Sequence, residues 1–309
     1  MSTRYLTGAT NPTIAKVAFE YDIGLLLTPE TAPVRIGPGY AGTVGIYGAT
    51  TGRKGTPLPG KDRRIEWHPT RAYDNGAYSE GRAKDGGIYD PEVDWLPEFR
   101  AWVREHKYLA DSTEFFVCPD RIDWFPKSDK HGKPLFDKKG RREVFPVGDA
   151  LGTFEWAAKY IPIMRAIATE EGWPGRLPIA LVAGDGMEEI TDLIPWDDID
   201  WIFLGGSTDW KIGYGAERVC KEARVHGKRI HMGRVSSMER MLIADGFGCE
   251  TADGTYLRFG TDTNLPSVME WVDATHKRDP LPSYAVAKVL SLKLKKAADA
   301  KRKVAKEAA

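Results

Sequence analysis

The chain of 309 residues carries 44 basic and 44 acidic side chains, a formal net charge of zero, and is 42% apolar and 28% charged. That balance fits a folded protein with a sizeable core and argues against disorder over most of the chain. No stretch approaches the ~18 apolar residues of a membrane span, and no apolar signal region follows Met1-Ser2-Thr3-Arg4, so a cytoplasmic protein is expected.

Residues 1–70 are rich in glycine and proline, with Ile23-Gly24-Leu25-Leu26-Leu27 and Thr43-Val44-Gly45-Ile46-Tyr47 as expected strands. Amphipathic spacing predicts a helix over 92–107, and the apolar run Phe115-Phe116-Val117-Cys118 a buried strand. Segment 126–146, bracketed by Pro126 and Pro146, reads as a loop or hairpin insertion. Beyond it a helix is expected over 149–171, then strands at Ile179-Ala180-Leu181-Val182-Ala183 and Trp201-Ile202-Phe203-Leu204. A helix over 215–226, a strand at Arg229-Ile230-His231-Met232 and helices over 236–246 and 265–277 complete the series. From Ser283 the tail places Val286, Val289, Leu290 and Leu294 at helical spacing, which predicts a basic amphipathic helix fraying after Ala300.

Strands alternating with helices imply parallel pairing through crossover helices, and the number of units favours an α/β fold of the (β/α)8 TIM-barrel type. One domain is expected over 1–282, followed by the tail 283–309. No G-x-G-x-x-G stands directly after the first expected strand, which weakens a doubly wound dinucleotide-binding sheet. Cys118, Cys220 and Cys249 lie far apart without C-x-x-C spacing, so neither a disulfide framework nor a cysteine-rich zinc site is signalled.

Charge is unevenly distributed. Residues 127–142 hold seven basic against two acidic side chains and the tail 283–309 eight against two, leaving the remainder acidic. Such a chain can combine a carboxylate-lined site with basic arms for a polyanion. Lys138, Lys139, Arg141 and Arg142 are therefore candidate nucleic-acid contacts.

In a (β/α)8 barrel, the residues at the C-terminal strand ends converge on the face that carries the chemistry. Asp74, Asp120, Asp185 and Asp253 fall at such ends. Acids without clustered histidines suit nucleophilic and acid–base work better than a transition-metal site. Gly184, Gly205, Gly206 and Gly233 would let backbone N–H groups approach a flat heterocycle, with Tyr73, Tyr78 and Met232 as candidate apolar faces.

In order and spacing these segments resemble those of the tRNA-guanine transglycosylases, and more closely of their relatives, the DpdA-like 7-deazaguanine DNA transglycosylases of bacteria and phages. Tyr73-Asp74-Asn75-Gly76-Ala77-Tyr78 is similar to that family's Asp-Ser-Gly-Gly-Phe segment, and Val117-Cys118-Pro119-Asp120 to the strand whose Asp recognises the guanine edge. Val182-Ala183-Gly184 stands where the family has Val-Gln-Gly, and Leu204-Gly205-Gly206 where it has Gly-Gly-Leu. His231-Met232-Gly233 resembles its Leu-Met-Gly strand, and Gly248-Cys249-Glu250-Thr251-Ala252-Asp253 its Gly-Val-Asp-Met-Phe-Asp segment.

The resemblance implies that Asp253 is a covalent nucleophile and Asp74 a proton-transfer group. It further implies that Asp120, Gly184, Asp185, Gly205, Gly206, Met232 and Tyr78 bind the base, with Arg234 and Arg258 against the nucleic-acid backbone. It departs from the tRNA enzymes in having no cysteine after Gly260, so their zinc module is absent, and in lacking Gln at the Val-Gln-Gly position, where Asp185 is the candidate replacement. The run Tyr256-Leu257-Arg258-Phe259-Gly260-Thr261-Asp262-Thr263-Asn264-Leu265-Pro266 looks like the DNA-modifying branch. The implied activity exchanges guanine in DNA for a 7-deazaguanine base such as 7-cyano-7-deazaguanine (preQ0), without a cofactor. A tRNA-acting enzyme without the zinc module, a non-catalytic nucleic-acid-binding barrel and a carboxylate-pair glycoside hydrolase are the alternatives.

Overall fold

A computed structural model describes residues 3–8, 14, 17–18, 21, 23–27, 70–77, 89–138, 140 and 142–276. The expected strand at 43–47 and the C-terminal helix from Ser283 lie outside these residues, as do Tyr78, Lys139 and Arg141.

Eight short apolar segments pair in parallel into a closed barrel, as the alternating pattern predicts. They are β1 (Arg4–Thr7), β2 (Gly24–Leu27), β3 (Arg71–Tyr73), β4 (Thr113–Val117), β7 (Ile179–Ala183), β8 (Trp201–Leu204), β9 (Arg229–Met232) and β10 (Thr251–Gly254). Their spatial order follows the chain, and β1 closes the sheet against β10 with Leu6 beside Asp253. The fold is a (β/α)8 barrel of the TIM type.

Strand side chains alternate between two faces, so each strand feeds two cores. Leu6, Leu26, Ala72, Phe115, Val117 and Ala180, with Val182, Trp201 and Phe203, fill the barrel interior. Their neighbours Tyr5, Leu25, Tyr73, Phe116, Leu181 and Met232 pack outward in the second cluster, against the helices. Buried Ile14, Val17 and Ala18 are helical and share one face by their spacing.

The crossover helices begin and end where local chemistry allows. Asp149 accepts the Gly152 N–H at 2.9 Å to cap the helix Ala150–Glu171, and Gly172 ends it in a left-handed conformation at φ 73°. The helix expected over 92–107 is divided into Pro91–Asp94 and Leu96–His106. Tyr214–Val225, Met238–Gly246 and Thr261–His276 match the other expectations to within four residues. Between β7 and β8 the crossover runs through short 3-10 turns.

The insertion is an antiparallel ribbon, β5 (Ile122–Pro126) paired with β6 (Val144–Gly148). It is longer than the expected 126–146 because its prolines lie inside the strands: Pro126 pairs with Val144, and Pro146 with Trp124. A two-stranded ribbon leaves one edge of each strand unpaired, where a missing N–H costs nothing.

The lower end of the barrel is closed by charge. The Arg229 guanidinium lies 4.0 Å from the Trp201 ring and pairs with Glu250 and Glu114, and Arg4 also pairs with Glu114 at 3.3 Å. Higher in the interior, a β-carbon on Gly24 would overlap the Leu6 side chain and stand 2.9 Å from the Thr70 carbonyl oxygen. Gly24→Ala is therefore expected to lower stability by about 1–3 kcal/mol through overpacking. Urea denaturation checks this, and an unchanged midpoint would show that Leu6 and Thr70 can give way.

Candidate active site

Closure of the barrel brings together acids that are far apart in the chain. Asp74 follows β3, Asp120 follows β4 by a short turn, and Asp253 is the third residue of β10. Alternation carries Asp74 inward after Ala72, and Asp253 inward two residues after Thr251. The lower face answers its acids with arginines, but among the described residues no lysine or arginine forms an ion pair with Asp74, Asp120 or Asp253.

The three carboxyls occupy different environments. Burial pushes Asp74 up from 3.8 to about 7, helped by the charges of Asp120 and Asp253 and opposed by hydrogen bonds from the Gly76 and Asn75 backbone. Burial likewise raises Asp120, to about 6, against the Asn75 side-chain hydrogen bond and the charge of Arg234. Asn75 anchors Asp120, since its Nδ2 donates to Asp120 Oδ1 at 2.8 Å and to the Cys118 carbonyl at 2.9 Å. Asp253, 8% exposed, receives His231 Nε2 at 3.1 Å and the Arg234 backbone N–H at 3.2 Å, both on Oδ1. Acids kept apart in this way can divide nucleophilic and proton-transfer roles.

The support around Asp253 is built from the β9–β10 loops. Arg234 has φ 59°, uncommon for a residue with a side chain, and that conformation turns its N–H onto the carboxylate. Lys211, 3% exposed, donates Nζ to the Gly233 carbonyl at 2.7 Å. Burial lowers its ammonium to about 7, with the Arg234 charge adding to the effect and Asp253 opposing it. The Arg234 guanidinium itself donates to the Gly205 and Gly206 carbonyls, tying the β8 loop to the β9 loop.

Beside the acids a cleft of about 410 Å³ lies between the barrel mouth and the root of the ribbon, within the range of small-molecule sites. Asp120, Gly184, Asp185, Gly205, Gly206 and Arg234 line it, together with Arg121, Asp149 and Val182. Asp74 and Asp253 adjoin it without being among the lining residues. The glycines are required by close loop packing: a β-carbon on Gly206 would stand 2.7 Å from Asp185 Oδ2 and 2.8 Å from Trp210, and one on Gly205 2.7 Å from Val182. Asp185 accepts the Ser207 N–H at 2.6 Å and its hydroxyl at 2.5 Å, so it braces the two loops while facing the cleft.

Two expected residues, Tyr73 and Met232, are placed elsewhere: Tyr73 is 1% exposed and packs outward against Phe116 and Trp102, so it offers no face to a base. Met232 is 1% exposed and belongs to the outward cluster, because the inward position on β9 is taken by His231. Its assignment as an apolar face for a base is corrected. Val182 and Phe203, 8% and 9% exposed at the top of the interior, stand in the inward positions that such a face requires. Arg258 is exposed on the turn after β10, next to Phe259 at 80% exposure. Lys138 and Arg142 are exposed on the ribbon, which also presents the cross-strand pair Phe125 and Phe145 with ring centroids 5.9 Å apart.

His231, Lys211, Asn75 and Arg121 were not singled out from the sequence. The period-two alternation of β9 and β10 contains a signal for His231, since it puts His231, Thr251 and Asp253 on one face. Nothing local marks Lys211, whose partner is 22 residues away. Among the described residues no group of three or more His, Cys, Asp or Glu side chains is arranged to hold a metal ion, and no helix is long and apolar enough to cross a membrane. No family model and no curated protein matches the chain.

Native Asp74 holds its proton in a pH range where the unfolded chain has released it, so stability falls as pH rises between about 4 and about 7. Asp74→Asn removes that slope. The variant is expected to gain on the parent as pH rises and to be more stable at pH 8 by about 1–3 kcal/mol. Urea denaturation across the pH series tests this, and a difference independent of pH would show that Asp74 titrates as an ordinary carboxyl.

Proposed function

We propose that the protein is a DNA guanine transglycosylase, exchanging guanine in DNA for a 7-deazaguanine base such as 7-cyano-7-deazaguanine. The observation that carries this reading is the meeting of Asp74, Asp120 and Asp253 at one barrel mouth, in three different environments, beside a cleft. The segments that resemble the transglycosylases fall on successive C-terminal strand ends from β3 to β10, in the order the resemblance requires.

In the reaction, an Asp253 oxygen attacks C1′ of the deoxyguanosine sugar while the C1′–N9 bond breaks through an oxocarbenium-like transition state. The electron pair of that bond leaves on the base, which takes a proton from Asp74. A carboxyl with a pKa of about 7 carries that proton near neutrality and still releases it. The products are a glycosyl ester on Asp253, neutral guanine and ionised Asp74. In the return half, N9–H of the incoming base gives its proton to Asp74, N9 attacks C1′, and the Asp253 carboxylate departs. Asp120 accepts hydrogen bonds from the ring edge.

A base inside a duplex must be turned out to reach this mouth. The ribbon supplies basic side chains for the flanking phosphates: Lys127, Lys130, Lys133, Lys138 and Arg142 among the described residues. Replacing Lys130, Lys133 and Lys138 together by Glu is expected to weaken DNA binding and make the slope of log affinity against log salt shallower by about 2–3. Fluorescence anisotropy over a salt series checks this, and an unaltered slope would remove the ribbon from the interface.

The activity test is incubation with DNA or tRNA and 7-cyano-7-deazaguanine, then nucleoside digestion and mass spectrometry. A 7-deazaguanine deoxynucleoside is expected with the parent and not with Asp253→Asn; product in tRNA alone overturns the DNA assignment. In single turnover, formation of the glycosyl–enzyme ester should slow as pH rises through about 7, since Asp74 must be protonated to release guanine. A rate that climbs through that range would remove Asp74 as the acid.

A further inference from the structure

We propose that His231 and Thr251 form a positioning relay that holds Asp253 by Oδ1 and thereby makes Oδ2 the attacking oxygen. The proposal rests on the transglycosylase reading for what Oδ2 attacks, while the relay itself stands on geometry. His231 is fully buried inside the barrel, with its ring centroid 4.6 Å from that of Phe203 and 5.2 Å from that of Phe115. In those apolar surroundings its two ring nitrogens have polar partners on the neighbouring strand: Nδ1 is 2.8 Å from Thr251 Oγ1, and Nε2 is 3.1 Å from Asp253 Oδ1.

Parallel pairing produces this arrangement. His231 and Thr251 are partners in the β9–β10 register, and Asp253 lies two residues further along the same face. A carboxylate oxygen only accepts, so Nε2 carries the proton; in the neutral ring Nδ1 must then accept from the Thr251 hydroxyl. The Asp253 carboxylate thus sets the tautomer, and the Thr251 hydroxyl completes it as the donor that Nδ1 accepts. The Arg234 N–H, presented by the left-handed backbone at that residue, adds a second donor to the same oxygen. Among the described residues every hydrogen bond to the Asp253 side chain falls on Oδ1. With one oxygen held by two donors the carboxylate cannot rotate freely, and Oδ2 keeps one direction of approach.

During ester formation the new bond joins Oδ2 to C1′, the C1′–N9 electrons leave on the base, and Oδ1 becomes the ester carbonyl still held by His231. His231 touches neither sugar nor base. It is a positioning residue, so its loss should lower kcat and leave KM for DNA and for free base nearly unchanged.

The test compares His231→Leu, His231→Gln and Thr251→Val in the full chain with a DNA oligonucleotide and 7-cyano-7-deazaguanine. Removing the donor is expected to slow ester formation about 100-fold, the order seen when a reacting group is slightly misplaced. Gln, whose amide N–H reaches towards the Nε2 position, should recover about tenfold of that loss, and Thr251→Val should fall between. Equal loss in Leu and Gln, or a loss confined to KM, overturns the relay. A second readout needs no activity and does not depend on His231→Leu folding: long-range 1H–15N spectra of the parent, with the ring assigned by its disappearance in His231→Gln. The Nε2–H tautomer is expected, and an Nδ1–H tautomer overturns the relay whatever the enzyme transfers. Nε2–H in a protein that exchanges no base would sustain the relay while defeating the transglycosylase reading.

Discussion

Everything at the barrel mouth depends on β1 pairing with β10. Closing the sheet there sets Leu6 beside Asp253 and removes both edges. Once closed, the barrel leaves each inward position only one place to go. Aromatic and aliphatic side chains fill most of the interior, His231 and Thr251 share a layer with Val182 and Phe203, and Asp74 and Asp253 stand at the mouth. The two ends of the barrel then diverge. Acids at the lower end are matched with arginines and serve cohesion, whereas Asp74, Asp120 and Asp253 at the upper end are left to hydrogen bonds from Asn75, His231 and backbone.

Grouping unpaired acids costs stability, and the raised positions of Asp74 and Asp120 express that cost as retained protons. The same cost makes the arrangement useful, because a carboxyl near neutrality can give and take a proton within one catalytic cycle. It is offset elsewhere: by the packed interior, by the charged closure beneath Trp201, and by loops that hold one another.

Those loops form a continuous brace. Lys211 holds Gly233, Arg234 holds Gly205 and Gly206, Asp185 holds Ser207, and Tyr5 donates to the Val235 carbonyl at 3.2 Å. Glycine is needed where two of these loops meet, since any side chain at 206 would strike Asp185, Trp210 or Gly184. Backbone strain at Arg234 is therefore held in place by contacts on several sides, and it aims an N–H at the carboxylate.

The sequence by itself determined the barrel class, most crossover helices and the acids at the strand ends, because apolar periodicity and the position of a residue after a strand are local properties that a parallel sheet translates directly into place; the closing strand Arg4–Thr7, four residues in mixed polar sequence, is not marked in that way. The sequence also marked the insertion, although prolines read as borders proved to lie inside an edge-tolerant ribbon. The outward direction of Met232 is not legible in the sequence because a single strand does not announce which of its two faces turns inward; that is decided by pairing with neighbours, and here the pairing of β9 with β10 gives the inward position to His231. Only the tertiary structure decided that Asp120 is tied to Asn75, that Lys211 is buried against Gly233, and that Asp253 is held by one oxygen. Each of these is a contact between side chains or loops tens of residues apart, formed by closure of the sheet, and such distances leave no trace in local spacing.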